Sequence, residues 1–397
     1  MKCRQKISLI LFLCIFVTTG CSDRTELNDL AIVLGSGMDQ NQDGVFVGSV
    51  QIAIPANLGR SHGGGGKDKG YTLETATGKS ILDALQNIQL KTSRKLFGSH
   101  RRVSFIGEHL ARNGISKFLD EYSRNPDVRM RSDLFVVKGG TARNVLGIPY
   151  KPENIPALAA LKIHQAAGGP ATSSLTEFLI AASTEGSSPT LPVVEMVSSP
   201  SSKDNEGEEN KTFRFTGRAI FNNDLKIIGF LNTKEALHRL WILGKLKTYF
   251  FTEDVPEENG NISLYVITFK SKIQPLIQGN KIKFDVSLTA KGTIQENNTN
   301  LDLKQANNLE VVERVLNKNL QKQILQTVTK VQKQYGTDIF GFGEAVHQKY
   351  PYKWKVLKKN WSNKFSEADV SVKVNLIIKT VGSTGPSLHL KESEIKK

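Results

Sequence analysis

Apolar residues recur along the chain with two periods. Between residues 309 and 335 they step by three or four: Leu309, Val312, Leu316, Leu320, Ile324, Val328, Val331 and Tyr335. That spacing gathers them on one face of a long helix, with Lys318, Lys322, Lys330 and Lys333 off the stripe. Such a stripe suits packing on the protein's own sheet; docking of a partner is the alternative. Elsewhere apolar and polar residues alternate, at Ile262, Leu264, Val266 and Thr268, at Ile282, Phe284, Val286 and Leu288, and at Val370, Val372, Val374, Leu376 and Ile378. Alternation predicts half-buried strands with one wet face.

The first half reads as strands alternating with helices. Residues 30–34 predict a buried strand and 35–44 turns, with extended chain again at Val45, Val47 and 50–54. Six glycines between Gly59 and Gly70 predict a flexible loop. Ile81, Leu82, Leu85 and Ile88 fall at helical spacing behind Ser80, a residue suited to capping. A strand at 103–106, a helix over 110–122 ended by Asn125-Pro126-Asp127, a strand at 134–137 and a helix around 142–146 follow. Prolines 149, 152 and 156, the turn Gly168-Gly169-Pro170 and the span from Pro189 to Pro200 then interrupt the pattern. Residues 199–211 are polar with almost nothing apolar and predict a linker or exposed loop. Beyond it, Asn222-Asn223-Asp224 turns a hairpin, and a helix spans about 233–243.

The sequence therefore predicts an α+β, multi-domain protein with mixed sheets, packed helices and one long amphipathic helix in its C-terminal region. The expected division is 1–20 as signal peptide, 21–198 as an N-terminal α/β region, 199–211 as linker, 212–382 as a C-terminal α+β domain and 383–397 as a polar tail.

The N-terminus changes the picture of where this fold works. Lys2, Arg4 and Lys6 precede an apolar run over 7–17, and Thr18-Thr19-Gly20 lead to Cys21. The run falls short of the ~20 residues that span a bilayer, so it has the architecture of an export signal. Small residues directly before a cysteine resemble the bacterial lipobox, with Thr18 where a larger aliphatic residue usually stands. The resemblance implies cleavage between Gly20 and Cys21, and S-diacylglyceryl and N-acyl groups on Cys21. An ordinary secretory signal with an incidental cysteine is the alternative. Two acyl chains meet the requirement for stable anchoring, at about 0.8 kcal/mol per buried CH₂.

Charge and chemistry mainly exclude. The net charge is +15. A membrane surface, an acidic protein or a nucleic acid would suit it; so would plain solubility, because the lysines are scattered apart from 349–364. The three cysteines are Cys3, Cys14 and Cys21, which leaves the folded body without a disulfide framework, a thiolate metal site or a cysteine nucleophile. Gly63-Gly64-Gly65-Gly66-Lys67 has Ser61 and Asp68 where a phosphate loop needs Gly and Ser or Thr. Gly341-Phe342-Gly343 follows a helix instead of a strand, and Val346 takes the third glycine position of a dinucleotide fingerprint. No HExxH pair and no Gly-x-Ser-x-Gly elbow is present. Glu108-His109 and Glu344 with His347 are candidate acid–base pairs, and a solvated or structural role fits both. No catalytic residue, metal site or cofactor is expected.

The segment from Cys21 through Asp23-Arg24-Thr25-Glu26-Leu27-Asn28-Asp29 to Ala31 resembles the start of mature Ger(x)C spore germination lipoproteins, with Ser22 where that family usually has Trp. Gly78-Lys79-Ser80, Ser93-Arg94-Lys95-Leu96-Phe97 and the run from Arg124 to Arg131 resemble the family too. So do the hairpin over 217–231, Ser271-Lys272-Ile273-Gln274-Pro275, and Asp338-Ile339-Phe340-Gly341-Phe342-Gly343-Glu344-Ala345-Val346-His347 with Tyr350, Pro351 and Trp354. The resemblance implies a non-catalytic, lipid-anchored C subunit of a nutrient germinant receptor, on the outer face of the spore inner membrane or cell membrane. Its implied partners are two multi-spanning membrane subunits, A-type and B-type, and membrane lipid, with no nucleic acid. A solute-binding lipoprotein of a transporter is the alternative function. Phe340, Gly341, Phe342, Gly343, Glu344, His347, Tyr350, Pro351 and Trp354 form the candidate element: Gly341 and Gly343 permit a tight turn, and the aromatics either anchor it in a core or present it to a partner.

Overall fold

The computed structural model describes residues 25–58, 70–148, 150, 153, 155–168, 173–198, 211–258, 260–383 and 385–396. Cys21, the leader, the Gly63–Lys67 run and most of 199–211 lie outside these residues.

Two mixed sheets carry the chain. The first contains β1 (Leu30–Gln40), β2 (Phe46–Ala53), β3 (Tyr71–Gly78), β4 (Lys95–Phe97), β5 (Val103–Gly107), β6 (Asp133–Lys138), β7 (Thr190–Ser198), β8 (Lys211–Phe221) and β9 (Ile227–Asn232). Its order is β3-β2-β1-β5-β6-β7-β8-β9, with β4 beside β1. The centre, β1-β5-β6-β7, is parallel, and antiparallel hairpins flank it on both sides. The second sheet is β10 (Tyr249–Val255), β11 (Gly260–Gln278), β12 (Lys281–Asn297) and β13 (Asp369–Thr380), in that order. Residues 199–210 thus connect two neighbouring antiparallel strands, β7 and β8, and the 218–230 hairpin completes the first sheet.

Helices cover both faces of the first sheet, as a parallel centre requires. These are α1 (Ile81–Gln89), α2 (Glu108–Asn113), α3 (Ser116–Arg124), α4 (Ala142–Gly147), α5 (Pro156–Ala166) and α6 (Leu175–Ser183). Ser80 caps α1, accepting from the Asp83 amide at 3.1 Å. On one face Phe118, Tyr122 and Phe178 pack with Ile106 and Leu134; on the other Val145, Leu146 and Leu161 pack with Phe105 and Phe135. The second sheet has one wet face, visible in the alternating burial of β12 and β13. Across its dry face lie α7 (Thr233–Ile242) and the long α8 (Ala306–Lys330), extended by a π-turn over Val331–Tyr335. Val312, Leu316, Leu320, Ile324 and Val328 are buried in that shared core, so the stripe packs on the protein's own sheet. The helix also finishes the sheet. Asn317 Oδ1 accepts from the Leu376 amide and Glu313 Oε1 from the Ile378 amide, both at 2.7 Å. Two N–H groups on the open edge of β13 are thereby satisfied, and an exposed pairing edge is closed. Three short helices lie between α8 and β13: α9 (Phe342–Lys349), α10 (Pro351–Leu357) and α11 (Trp361–Glu367).

Four local expectations are corrected. Residues 35–40 continue strand β1 instead of turning. Gly35 and Gly37 serve close approach: a Cβ on Gly35 would overlap Ala157 of α5, and one on Gly37 would lie 2.7 Å from the Ala142 Cβ of α4. The helix expected over 110–122 is two helices, broken at Gly114, whose φ of +116° no helix accommodates. Pro156 opens α5 at its first turn, where a missing N–H costs nothing. The span from Pro189 to Pro200 contains β7, and Pro192 stands just before that strand's pairing with β6 begins at Val193.

Candidate functional site at the junction of the sheets

The candidate element forms a corner where the 184–189 loop of the first half meets the second core. Its centre is Asp338, 2 % exposed. One carboxylate oxygen accepts from the amides of Phe340 (2.9 Å) and Gly341 (3.0 Å). The other accepts from the Gly343 amide (2.7 Å) and from Trp361 Nε1 (3.2 Å). Burial pushes the Asp338 carboxyl pKa up, and these donors oppose the shift. The Asp338 carbonyl accepts from the Ser188 amide at 2.8 Å, and the Ser188 and Thr337 hydroxyls are hydrogen-bonded, so the corner is stitched to the first half. Lys358 adds an ion pair to Glu185 at 2.6 Å.

Gly341 has φ +79° and starts α9. A side chain there would be strained. Gly343 is required by proximity: a Cβ would sit 2.7 Å from the Gly186 carbonyl and 2.9 Å from Trp354 Cη2. Phe342 stacks on Phe284 of β12 at 4.5 Å, and Phe340 lies 5.7 Å from Phe342. Trp354 meets Trp361 edge-on at 5.0 Å. Phe340, Phe342, Gly343 and Trp354 are buried, whereas Glu344, His347 and Pro351 are exposed and Tyr350 is half-buried. Tyr350 donates to the Pro275 carbonyl at 3.4 Å. Glu344 and His347 stand 3.9 Å apart, too far for a hydrogen bond. The other acid–base pair is divided: Glu108 accepts from Arg112 and the Gly139 amide, while His109 Nδ1 lies 3.1 Å from the Gln40 carbonyl. Among the described residues no group of three or more His, Cys, Asp or Glu is placed to hold a metal, and no helix is long and apolar enough to cross a membrane.

Sequence reasoning singled out the aromatics and glycines but not Asp338 as their organiser, nor Trp361 and Gly186. The available signal was the spacing Asp338-x-Phe340-Gly341-x-Gly343, in which an acid precedes a run of amides it can accept from. The participation of Gly186 had no sequence signal, because its partner Trp354 lies far along the chain.

Residues 23–196 match the spore germination protein N-terminal domain, and residues 216–382 match the spore germination B3/GerAC-like C-terminal domain. The putative spore germination protein YfkR of Bacillus subtilis is 29 % identical over 375 residues, spanning 94 % of this chain and 95 % of its own. Spore germination protein KC of the same organism is 26 % identical over 389 residues, 95 % of each chain. The crystal structure of the GerBC protein superposes with a TM-score of 0.56 at 19 % identity, over 87 % of this chain and 97 % of that one, which is a likeness of fold. Two family domains in order, along nearly the whole described chain, make this protein a member of the Ger(x)C family of spore germination proteins.

Proposed function

We propose that the chain is the lipid-anchored C subunit of a nutrient germinant receptor, non-catalytic and needed for nutrient-triggered germination. The observation that carries this reading is the match of both halves to spore germination domains. Cys21 bears the acyl chains, and the protein sits on the outer face of the spore inner membrane or cell membrane beside two multi-spanning subunits. At the corner, the buried Phe340, Phe342, Gly343 and Trp354, with the turn at Gly341, hold α9 and α10 in place. The exposed Glu344, His347 and Pro351, with Tyr350 beside them, face the membrane subunits.

The test is copurification. Tagged, detergent-solubilised protein from sporulating cells is captured, and the proteins that accompany it are identified by mass spectrometry. Two multi-spanning germinant-receptor subunits are expected. A transporter permease and ATPase in their place would sink the receptor reading in favour of a solute-binding lipoprotein. Cys21→Ala protein is expected to leave the membrane fraction; unchanged partitioning would remove the lipid anchor from the proposal.

A further inference from the structure

Where α6, β8 and α7 come together there is a chamber of about 70 Å³, lined in part by Ser174, Glu177, Thr190, Arg218, Arg239 and Lys245. Among the described residues its charged lining is three cations against one carboxylate. Arg218 is 6 % exposed. Its Nε donates to Thr190 Oγ1 and its Nη2 to the Thr190 carbonyl, both at 2.9 Å. Its Nη1 is buried with no acceptor among the described residues. A guanidinium keeps its proton in proteins, so this charge cannot be relieved by titration. Arg239 acts on it as a like charge and Glu177 as the opposing one. Glu177 is shared, however, with Lys245, 3.3 Å away. Arg239 spends its Nε on the Ile339 carbonyl at 2.8 Å. Glu177 is the larger opposing charge on Arg239 as well, so one carboxylate serves all three cations, and Asp338 is the smaller one, with oxygens that already accept the four donors of the corner.

A buried cation with an unused donor beside a second guanidinium lacks an anion. We propose that the chamber binds a small monovalent anion, either a halide or the carboxylate of a small organic acid, between Arg218 and Arg239. Planar guanidiniums suit a carboxylate with two parallel N–H···O bonds, and they accept a halide equally as paired donors. By the measure in which one water takes ~10–15 Å³, the chamber holds about five waters, which limits the ligand to formate, acetate or a single halide. Bound there, the anion joins β8 of the first sheet to α7 of the second core.

The full-length, detergent-solubilised protein is melted with increasing sodium formate, sodium acetate or sodium bromide, at an ionic strength held with sodium gluconate, whose anion is too large to enter. A saturable rise in melting temperature is expected with at least one of these ions. The responding ion distinguishes a carboxylate site from a halide site. Half-saturation should weaken at least tenfold in Arg218→Gln and stay unchanged in Lys272→Gln, an exposed control. A response equal in wild type and Arg218→Gln, or none with any of the three ions, overturns the proposal. If Arg218→Gln does not fold, wild-type crystals soaked in sodium bromide and in sodium formate give the answer. Anomalous bromide signal or formate density between Arg218 and Arg239 supports the site, and water alone in both overturns it.

Discussion

The Asp338 carboxylate accepts a hydrogen bond from Trp361 Nε1 at 3.2 Å, across 23 residues of sequence. That contact ties the loop after the long helix to α11 and closes the corner. Removing the carboxylate leaves three amides and an indole N–H without their acceptor. Each unsatisfied buried group costs about 1–3 kcal/mol. Asp338→Ala is therefore expected to lower stability by at least about 4 kcal/mol, while Trp361→Phe, which removes one donor to a charged acceptor, costs about 1.5–3 kcal/mol. Urea denaturation of the two variants checks the ranking, and equal losses would show that Asp338 is not the organiser.

Phe342 is fully buried and stacked on Phe284. Phe342→Ala is expected to cost about 3–5 kcal/mol, the range for deleting a core aromatic. Thermal melting measured alongside copurification separates the two roles of the corner. Unchanged stability with lost assembly would overturn its structural role and leave only partner contact.

His164 is buried between Phe135 and Phe215, and neither ring nitrogen has a partner among the described residues. Burial, with Arg218 nearby, pushes its pKa down to about 3. The neutral form is thus the folded form, and the unfolded chain takes up a proton first as pH falls below ~6.5. This residue withdraws stability between pH 6.5 and 3, about 2 kcal/mol of it by pH 5. His238, pushed down to about 4 by burial and Lys234, acts in the same direction. Denaturation midpoints at pH 7.5 and pH 5 should converge in His164→Phe relative to wild type; the same acid sensitivity in both proteins would contradict this.

Asn317 and Glu313 cover the edge of β13. Asn317→Ala is expected to cost about 1–2 kcal/mol, since the Leu376 amide is left without its acceptor. Hydrogen exchange should speed up at Leu376 first, and unaltered protection there would mean that the edge is closed by something other than this side chain.

Gly35 lies against Ala157 with no room for a methyl group. Gly35→Ala should separate β1 from α5 and cost about 1–3 kcal/mol through overpacking. The paired change Gly35→Ala with Ala157→Gly should recover most of the loss. No recovery would point to the next neighbour of the new methyl group, Gln51 Oε1 at 3.0 Å, as the cause.

Much of this architecture was legible in the chain because its signals are local. A period of 3.6 residues fixed the long helix and the face it buries. A period of two fixed β11, β12 and β13 and their wet face, and Ser80 announced the start of α1. The lack of cysteines beyond Cys21 excluded thiol chemistry in the body. Where glycine or proline had two meanings, local reading failed. At Gly35 and Gly37 the residue admits a helix against a strand, while at Gly114 it breaks a helix, and composition does not distinguish the two. Only the tertiary structure decided that β7 and β8, separated by a polar segment, pair as neighbours. It alone brought Asp338 to Trp361, Gly186 to Trp354 and Arg218 to Arg239. The reason is physical: periodicity reports which face of an element leaves water, but which faces meet depends on close packing and hydrogen-bond satisfaction among residues far apart in the chain.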